Sequence, residues 1–210
     1  MPKSEPLNFN HSAPDFTLQS VTGEFVQFSS LWAQKPLLLA FTRHSGCTQC
    51  KEMLEQLVSG RERIEKSGLE IAVIMQGTPE TMADYANEYA PGLLCLLDPE
   101  RQVYGAYGLE RGNLFQTFLN PKVWTAVSRS GKKGYKVEPP PPGQDAMQMS
   151  GIFIINKEGR IVLPYYFDHI ADHPRLDLLL DGVLSTHWDR PFDGPIGPGV
   201  DSKENNAEKK

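Results

Sequence analysis

Short, nearly continuous apolar runs alternate with longer stretches of helical spacing along most of this chain. Residues 37–42, 69–75 and 93–97 are apolar almost throughout, the pattern of strands buried on both faces of a sheet. Between the first two, residues 47–66 place Cys50, Met53, Leu54, Leu57, Val58 and Ile64 at helical intervals, and Ser67-Gly68 supplies a stop. Between the second and third, Thr78 is an N-cap residue followed by Pro79 at the first helical position, opening a helix to about Tyr89. Asp98-Pro99 closes the third run, and residues 101–107 predict a short helix.

Two hairpins flank this block. Phe16-Thr-Leu-Gln and Glu24-Phe-Val-Gln-Phe28 alternate and are joined by Thr22-Gly23. Residues 151–155 and 160–163 are joined by the turn Asn156-Lys-Glu-Gly159. A last helix is expected from Asp172-His-Pro174, with Leu176, Leu179, Leu180, Val183 and Leu184 on its apolar side. Residues 110–147 lose the period. A helix is expected around 121–128, but Gly131-Lys-Lys-Gly134 and the prolines 139–142 suit neither a helix interior nor a central strand. That segment reads as a surface insertion, and as a candidate lid over the thiol site described below.

Strand, helix, strand, helix, strand, then hairpin and helix give an α/β three-layer sandwich with a mixed sheet. This is the thioredoxin-like plan with an N-terminal hairpin added. Strands 37–42, 69–75 and 93–97 are expected parallel, and 151–155 antiparallel to 160–163. The expected organisation is a flexible N-terminus over 1–11, one domain over 12–188 carrying the 110–147 insertion, and a flexible tail over 189–210.

Composition alters this picture little. With 210 residues, 40% hydrophobic and 22% charged, the chain has ordinary globular make-up and is long enough for one core. A net charge of -5 argues against nucleic acid or an anionic membrane as the main partner. No apolar run reaches the length of a membrane span, and Met1-Pro-Lys-Ser-Glu-Pro lacks the apolar stretch of a secretory signal. Three cysteines, an odd number, suit a reducing compartment, so the cytoplasm is expected.

The candidate chemistry lies at Cys47-Thr-Gln-Cys50, where the first buried strand hands over to a helix. Residues three apart on a helix share a side, so the two thiols can close a disulfide with little backbone movement. At the helix start Cys47 faces unpaired amides and the positive end of the dipole, which favours its thiolate. Cys50, one turn deeper on the apolar face, is expected to stay protonated. Arg43 and His44 stand just before and add positive charge. Redox chemistry is the preferred reading. Its rivals are two small buried hydrophobes and a zinc site built from His44, Cys47, Cys50 and Cys95. Cys95, however, lies within an apolar strand, where structural zinc is unusual. It is expected to be core packing, with a resolving-thiol role as the alternative. Trp32, Trp124 and Trp188 are expected to pack, and Lys132-Lys133 to form a solvated turn. His169 and His173 around Asp172 are expected to form a surface capping turn.

These residues carry a resemblance. Its motifs are Ser12-Ala-Pro-Asp-Phe-Thr-Leu18, Phe41-x-Arg43-x-x-x-Cys47-x-x-Cys50 and Asp98-Pro99 ahead of Tyr104-x-x-Tyr107-Gly108-Leu109. Gln148-x-x-Gly151-x-Phe153 and Tyr165-Tyr-Phe-Asp-His-x-Ala-Asp-His-Pro174 complete the set. Together they resemble the CxxC-containing, peroxiredoxin-like branch of the AhpC/TSA family. The resemblance implies a thiol-dependent antioxidant oxidoreductase that cycles a Cys47–Cys50 dithiol and disulfide and reduces peroxide or disulfide substrates. Cys47, Cys50, Arg43 and Thr42 are its expected catalytic residues, with no metal and no cofactor. Its expected partners are a small-molecule peroxide or a protein disulfide, and an external thiol reductant such as thioredoxin or glutathione. Neither nucleic acid nor membrane is implied, and a homodimer is left open. Departures are visible: His44, not Thr, lies three residues before Cys47, and Gly46 stands where thioredoxins carry Trp. Met149-Ser150-Gly151 also lacks the cis-proline of thioredoxins. The alternative from another class is a redox-sensing or interaction module that does not turn over.

Overall fold

The three apolar runs form the strands they predict. In the computed structural model, which describes residues 5–180 except Leu178, β1 (Thr17–Ser20) and β2 (Phe25–Gln27) form the N-terminal hairpin. β3 (Leu37–Phe41), β4 (Glu70–Met75) and β5 (Leu94–Leu97) pair in parallel, with β4 in the middle. β6 (Gly151–Ile155) pairs antiparallel with both β3 and β7 (Ile161–Tyr166). The result is a seven-stranded mixed sheet of order β2-β1-β5-β4-β3-β6-β7. Among the described residues six α-helices surround it, α1 (Phe28–Trp32), α2 (Thr48–Ser59), α3 (Arg61–Lys66), α4 (Pro79–Tyr89), α5 (Gln102–Ala106) and α6 (Pro121–Lys132), with a single wide helical turn at Phe115–Leu119. The chain has the α/β, thioredoxin-like fold. Among the described residues no helix is long and apolar enough to cross a membrane.

Strand alternation sends neighbouring side chains into two cores. Leu38, Ala40 and Val73 meet Met53, Leu54 and Leu57 of α2 and Met82 of α4 on one side. Leu37, Leu39, Phe41 and Ile74 meet Phe28 and Trp32 of α1 and Tyr104 of α5 on the other. Phe41, the last residue of β3, is fully buried, with Tyr104 and Phe153 edge-on at 5.1 and 5.7 Å between ring centroids. Those aromatic contacts fix the end of β3 from which the thiol loop departs.

Several elements differ from expectation in instructive ways. The helical stretch 47–66 is two helices, α2 and α3, broken at Gly60. Leu176, from the segment after β7, lies against Gly60 where any added Cβ would collide with it. The short helix after β5 begins at Gln102, because the Asp98 carboxylate accepts the amides of Gln102, Val103 and Tyr104 at 3.0, 2.8 and 3.2 Å. α6 runs to Lys132, past the expected end at 128, with Asn120 capping the Lys122 amide at 2.9 Å. Lys132-Lys133 is thus the end of a helix, and Lys133 Nζ pairs with Glu55 at 3.0 Å. β7 continues beyond 163 through Pro164, which an edge strand tolerates. Of the stretch 1–11, expected to be loose, Asn10 N donates to Ile161 O at 2.8 Å and His11 O accepts from Ile161 N at 2.9 Å. Leu176 and Leu179 are buried, as the last helix predicts; Val183, Leu184, Trp188 and the 189–210 tail lie outside the described residues.

Candidate active site

The loop 42–46 leaves the buried end of β3 and delivers Cys47 to the first turn of α2. Thr42 anchors that exit. Its amide and hydroxyl both donate to Ile74 O of β4, at 2.9 and 3.1 Å, and its carbonyl accepts from Tyr104 Oη at 2.8 Å. The Thr42 hydroxyl is therefore spent on the backbone of β4, while Cys47, Cys50 and Arg43 come together.

Cys47 is the N-cap residue of α2, with extended backbone (φ -80, ψ 113). Its carbonyl accepts the Cys50 and Lys51 amides at 3.1 and 3.2 Å, so Cys50 follows one turn later on the same side. Both are free thiols, 5% and 3% exposed. The Cys50 thiol donates to the Cys47 sulfur. That bond, with the Arg43 and His44 side chains and the Cys50 amide, holds Cys47 well below the ordinary thiol range against the opposing effect of burial. Burial, together with the hydrogen bond and negative charge of Cys47, pushes Cys50 well above it. The two shifts run in opposite directions, favouring the thiolate at Cys47 and the thiol at Cys50.

Arg43 organises both sulfurs. Its backbone amide lies 3.2 Å from Cys50 Sγ and its Nη1 lies 3.5 Å from Cys47 Sγ. The guanidinium is 3% exposed, and among the described residues no carboxylate pairs with it. Its remaining donors go to backbone carbonyls at the end of the inserted segment and just after it, Nη2 to Ala146 O and Nε to Gln148 O at 2.9 Å. The Cys47 thiolate is thus its counter-charge. Burial lowers His44, with Cys47 opposing and Arg43 adding to the shift, so the imidazole is neutral near pH 7 and Arg43 is the standing positive charge. His44 Nδ1 is buried without a hydrogen-bond partner.

The 110–147 insertion lies across this loop. Glu138 N donates to Gly46 O at 3.2 Å, and Ser45 N donates to Gln144 Oε1 at 2.7 Å. A Cβ on Gly46 would sit 2.8 Å from Glu138 C and 2.9 Å from Pro139 O, which explains glycine before Cys47. α2 and α6 are tied by Gln49 Nε2 to Ser130 Oγ at 2.8 Å and by Arg129 to Glu52 at 2.8 Å. Buried Lys51 pairs with Glu138 at 3.2 Å and lies 4.7 Å over the Tyr89 ring. Beside Cys47 these contacts leave a pocket of about 220 Å³, walled by Phe118, Val123, Trp124, Val127 and Val137 with Arg43, His44 and Gln49 at its polar end. Trp124, expected to pack, is 65% exposed and forms part of this wall; Trp32 packs in the core.

Cys95 stays in the core, where burial pushes its thiol up to about 12. Among the described residues no three His, Cys, Asp or Glu side chains come together to hold a metal, so the zinc set of His44, Cys47, Cys50 and Cys95 does not assemble. Asp172 caps a turn, accepting Asp168 N at 3.0 Å, and His169 Nδ1 accepts Ala171 N at 3.3 Å. The capping turn forms, but not at the surface as expected: His169 is buried, and His173 Nδ1 is buried without a hydrogen-bond partner. Sequence reasoning missed the Ala146 and Gln148 carbonyls that hold Arg43. Main-chain acceptors leave no mark in residue type, although Gln148 belongs to a motif singled out above.

Comparison with known proteins agrees with this architecture. A bullfrog (Aquarana catesbeiana) prostamide/prostaglandin F synthase is 26% identical over 168 residues, covering 78% of this chain and 82% of its own. The zebrafish (Danio rerio) protein of that name is 27% identical over 166 residues, covering 75% and 79%. A crystal structure of a peroxiredoxin-like protein from Aquifex aeolicus superposes with a TM-score of 0.61 at 12% identity, covering 85% of this chain and 86% of that one. The sequence profile of the AhpC/TSA family matches residues 9–163, and the chain belongs to that family.

Proposed function

We propose that the chain is a thiol-dependent oxidoreductase in which Cys47 attacks and Cys50 resolves. The observation that carries this reading is that Arg43 contacts both sulfurs, its buried, carboxylate-free guanidinium at Cys47 and its backbone amide at Cys50, while the two thiols are shifted in opposite directions. The Cys47 thiolate attacks a peroxide oxygen; the O–O bond breaks, the leaving oxygen takes a proton, and Cys47 becomes a sulfenic acid. Arg43 Nη1 stabilises first the thiolate and then the negative charge developing on the leaving oxygen. The Cys50 sulfur then attacks the sulfenic sulfur, a Cys47–Cys50 disulfide forms and water leaves. With a disulfide substrate the same attack gives a mixed disulfide that Cys50 opens. An external thiol reductant of the thioredoxin or glutathione class, in a reducing cytoplasm, returns both thiols. The apolar walls suit substrates with an apolar body, in keeping with relatives named for prostamide and prostaglandin F.

After treatment with one equivalent of peroxide, the intact mass should fall by two hydrogens, with the loss mapped to the peptide joining residues 47 and 50. Finding Cys47 and Cys50 both still alkylatable after that treatment would refute the mechanism. A specific feature also favours a redox-sensing role: Arg43 joins the Cys47 charge to the carbonyls of Ala146 and Gln148, so oxidation of Cys47 frees the guanidinium that clamps the insertion. Steady-state peroxide consumption with a thioredoxin recycling system separates the two. Many turnovers, abolished in Cys47→Ser, mark the enzyme; one stoichiometric turnover marks the sensor.

A further inference from the structure

The segment that closes over the thiols turns its apolar side chains outward. In the wide turn Phe115–Leu119, polar Thr117 is 0% exposed, whereas Leu114, Phe115, Phe118 and Leu119 are 63%, 57%, 49% and 64% exposed. Trp124 and Val137 add to them, and of the large exposed hydrophobics among the described residues only Phe25 lies outside 114–137. Singly scattered apolar side chains are ordinary on a surface; a cluster of this kind marks a contact face. The same segment is the basic part of an acidic chain. Residues 111–137 hold six Lys and Arg and no Asp or Glu, against a net charge of -5 for the whole. Arg111, Arg129 and Lys133 pair with Asp145, Glu52 and Glu55. Lys122, Lys132 and Lys136 have no carboxylate partner among the described residues.

We infer that this face docks peripherally on a lipid bilayer carrying anionic headgroups. Leu114, Phe115, Phe118 and Leu119 enter the acyl boundary, and the lysines lie at headgroup level. Three features select this occupant. The charge is complementary to an anionic surface, whereas two copies meeting through this face would bring like-charged segments together. The protruding side chains of the turn are aliphatic and aromatic, without the density of hydrogen-bonding groups that protein interfaces carry. The patch is also continuous with the site: Phe118, Trp124 and Val137 belong both to the exposed cluster and to the pocket wall beside Cys47. The chain-wide charge, which argued against a membrane, averages this segment with an acidic remainder. The inference stands apart from the thiol chemistry and is read without any activity assay.

The test is sedimentation of the full chain with sucrose-loaded vesicles, either pure phosphatidylcholine or an equal mixture of phosphatidylcholine and phosphatidylglycerol. Binding to the mixed vesicles, weak binding to the neutral ones and a decline with added salt are expected. Each lysine near an anionic surface contributes about five-fold to partitioning, so Lys122→Glu with Lys132→Glu and Lys136→Glu should lower it by about a hundred-fold or more. Phe115→Ser with Leu119→Ser, positions outside the pocket wall, should lower it about ten-fold or more. Failure to sediment with either vesicle, or binding untouched by both variant sets, overturns the inference. A dimer in light scattering that Phe115→Ser and Leu119→Ser dissolve, without vesicle binding, overturns it in favour of a contact between copies. Retention on a polyglutamate resin alone, lost in the lysine variants, overturns it in favour of an acidic protein surface.

Discussion

Replacing Arg43 by Met removes the one standing positive charge from Cys47 while keeping a side chain of similar length. The guanidinium lies 3.5 Å from the sulfur and is almost fully buried. Two unit charges about 4 Å apart attract by about 4 kcal/mol at an effective dielectric near 20. Much of that is offset by the desolvation of both groups, and a hydrogen bond to a charged group nets about 1.5–3 kcal/mol. At about 1.4 kcal/mol per pKa unit, the Cys47 midpoint should rise by about 1–2 units. Cys50, whose thiol donates to Cys47, is the other and larger cause of the low midpoint, so Cys47 should remain more acidic than Cys50 in the variant. The assay is site-resolved alkylation by iodoacetamide across pH, read by mass spectrometry. Below the wild-type midpoint the loss of thiolate is partly offset by the greater intrinsic nucleophilicity of a more basic sulfur, leaving a drop of about 3–16-fold. Arg43→Lys keeps the charge without the planar fork and should shift the midpoint less. A folded Arg43→Met protein with an unchanged Cys47 midpoint would refute the assignment of Arg43 as counter-charge.

Other expectations follow from single contacts. Gly46→Ala places a methyl against Glu138 and Pro139; it should cost about 1–3 kcal/mol and speed limited proteolysis near residues 135–142, and an unchanged digestion pattern would show that the crossing segment is not held there. Phe41→Ala empties the space between Tyr104 and Phe153 and should cost about 3–5 kcal/mol in urea unfolding; a loss below 1 would mean the aromatic cluster does not carry the end of β3. Burial raises the Cys95 thiol to about 12, above the ~8.5 of an unfolded thiol, so its contribution is full below that lower value and is lost as pH rises toward the upper one. The melting temperature of wild type should therefore fall more steeply across that alkaline window than that of Cys95→Ala, the buried tyrosines affecting both alike; parallel curves would contradict the burial.

What the chain disclosed in advance was whatever depends on local pattern. Apolar runs gave β3, β4 and β5 because strands covered on both faces need no alternation, and the Cys47–Cys50 spacing placed both sulfurs on one side of α2. The break at Gly60 escaped notice because helical spacing resumes at Ile64, and only the arrival of Leu176 from far along the chain shows why a bare residue is needed there. Thr42 looked available as a hydroxyl donor until β4 supplied Ile74 O beside it. Trp124 looked like packing because its helix does bury Val123 and Ala126, yet its own position turns outward beside the pocket. The basic character of 111–137 was hidden by summing charge over the whole chain.

The two rims of the sheet have a bearing on how copies of this molecule can meet. β2, at one rim, is three residues long, too short to recruit a foreign strand. β7, at the other, has its first residue, Ile161, hydrogen-bonded to Asn10 and His11, with Ser12 bridging Arg160 just before it, and lacks an amide hydrogen at Pro164. Neither rim offers a long ladder of open main-chain groups, so extension of the sheet from one molecule into the next is blocked, and self-association falls to side-chain faces instead.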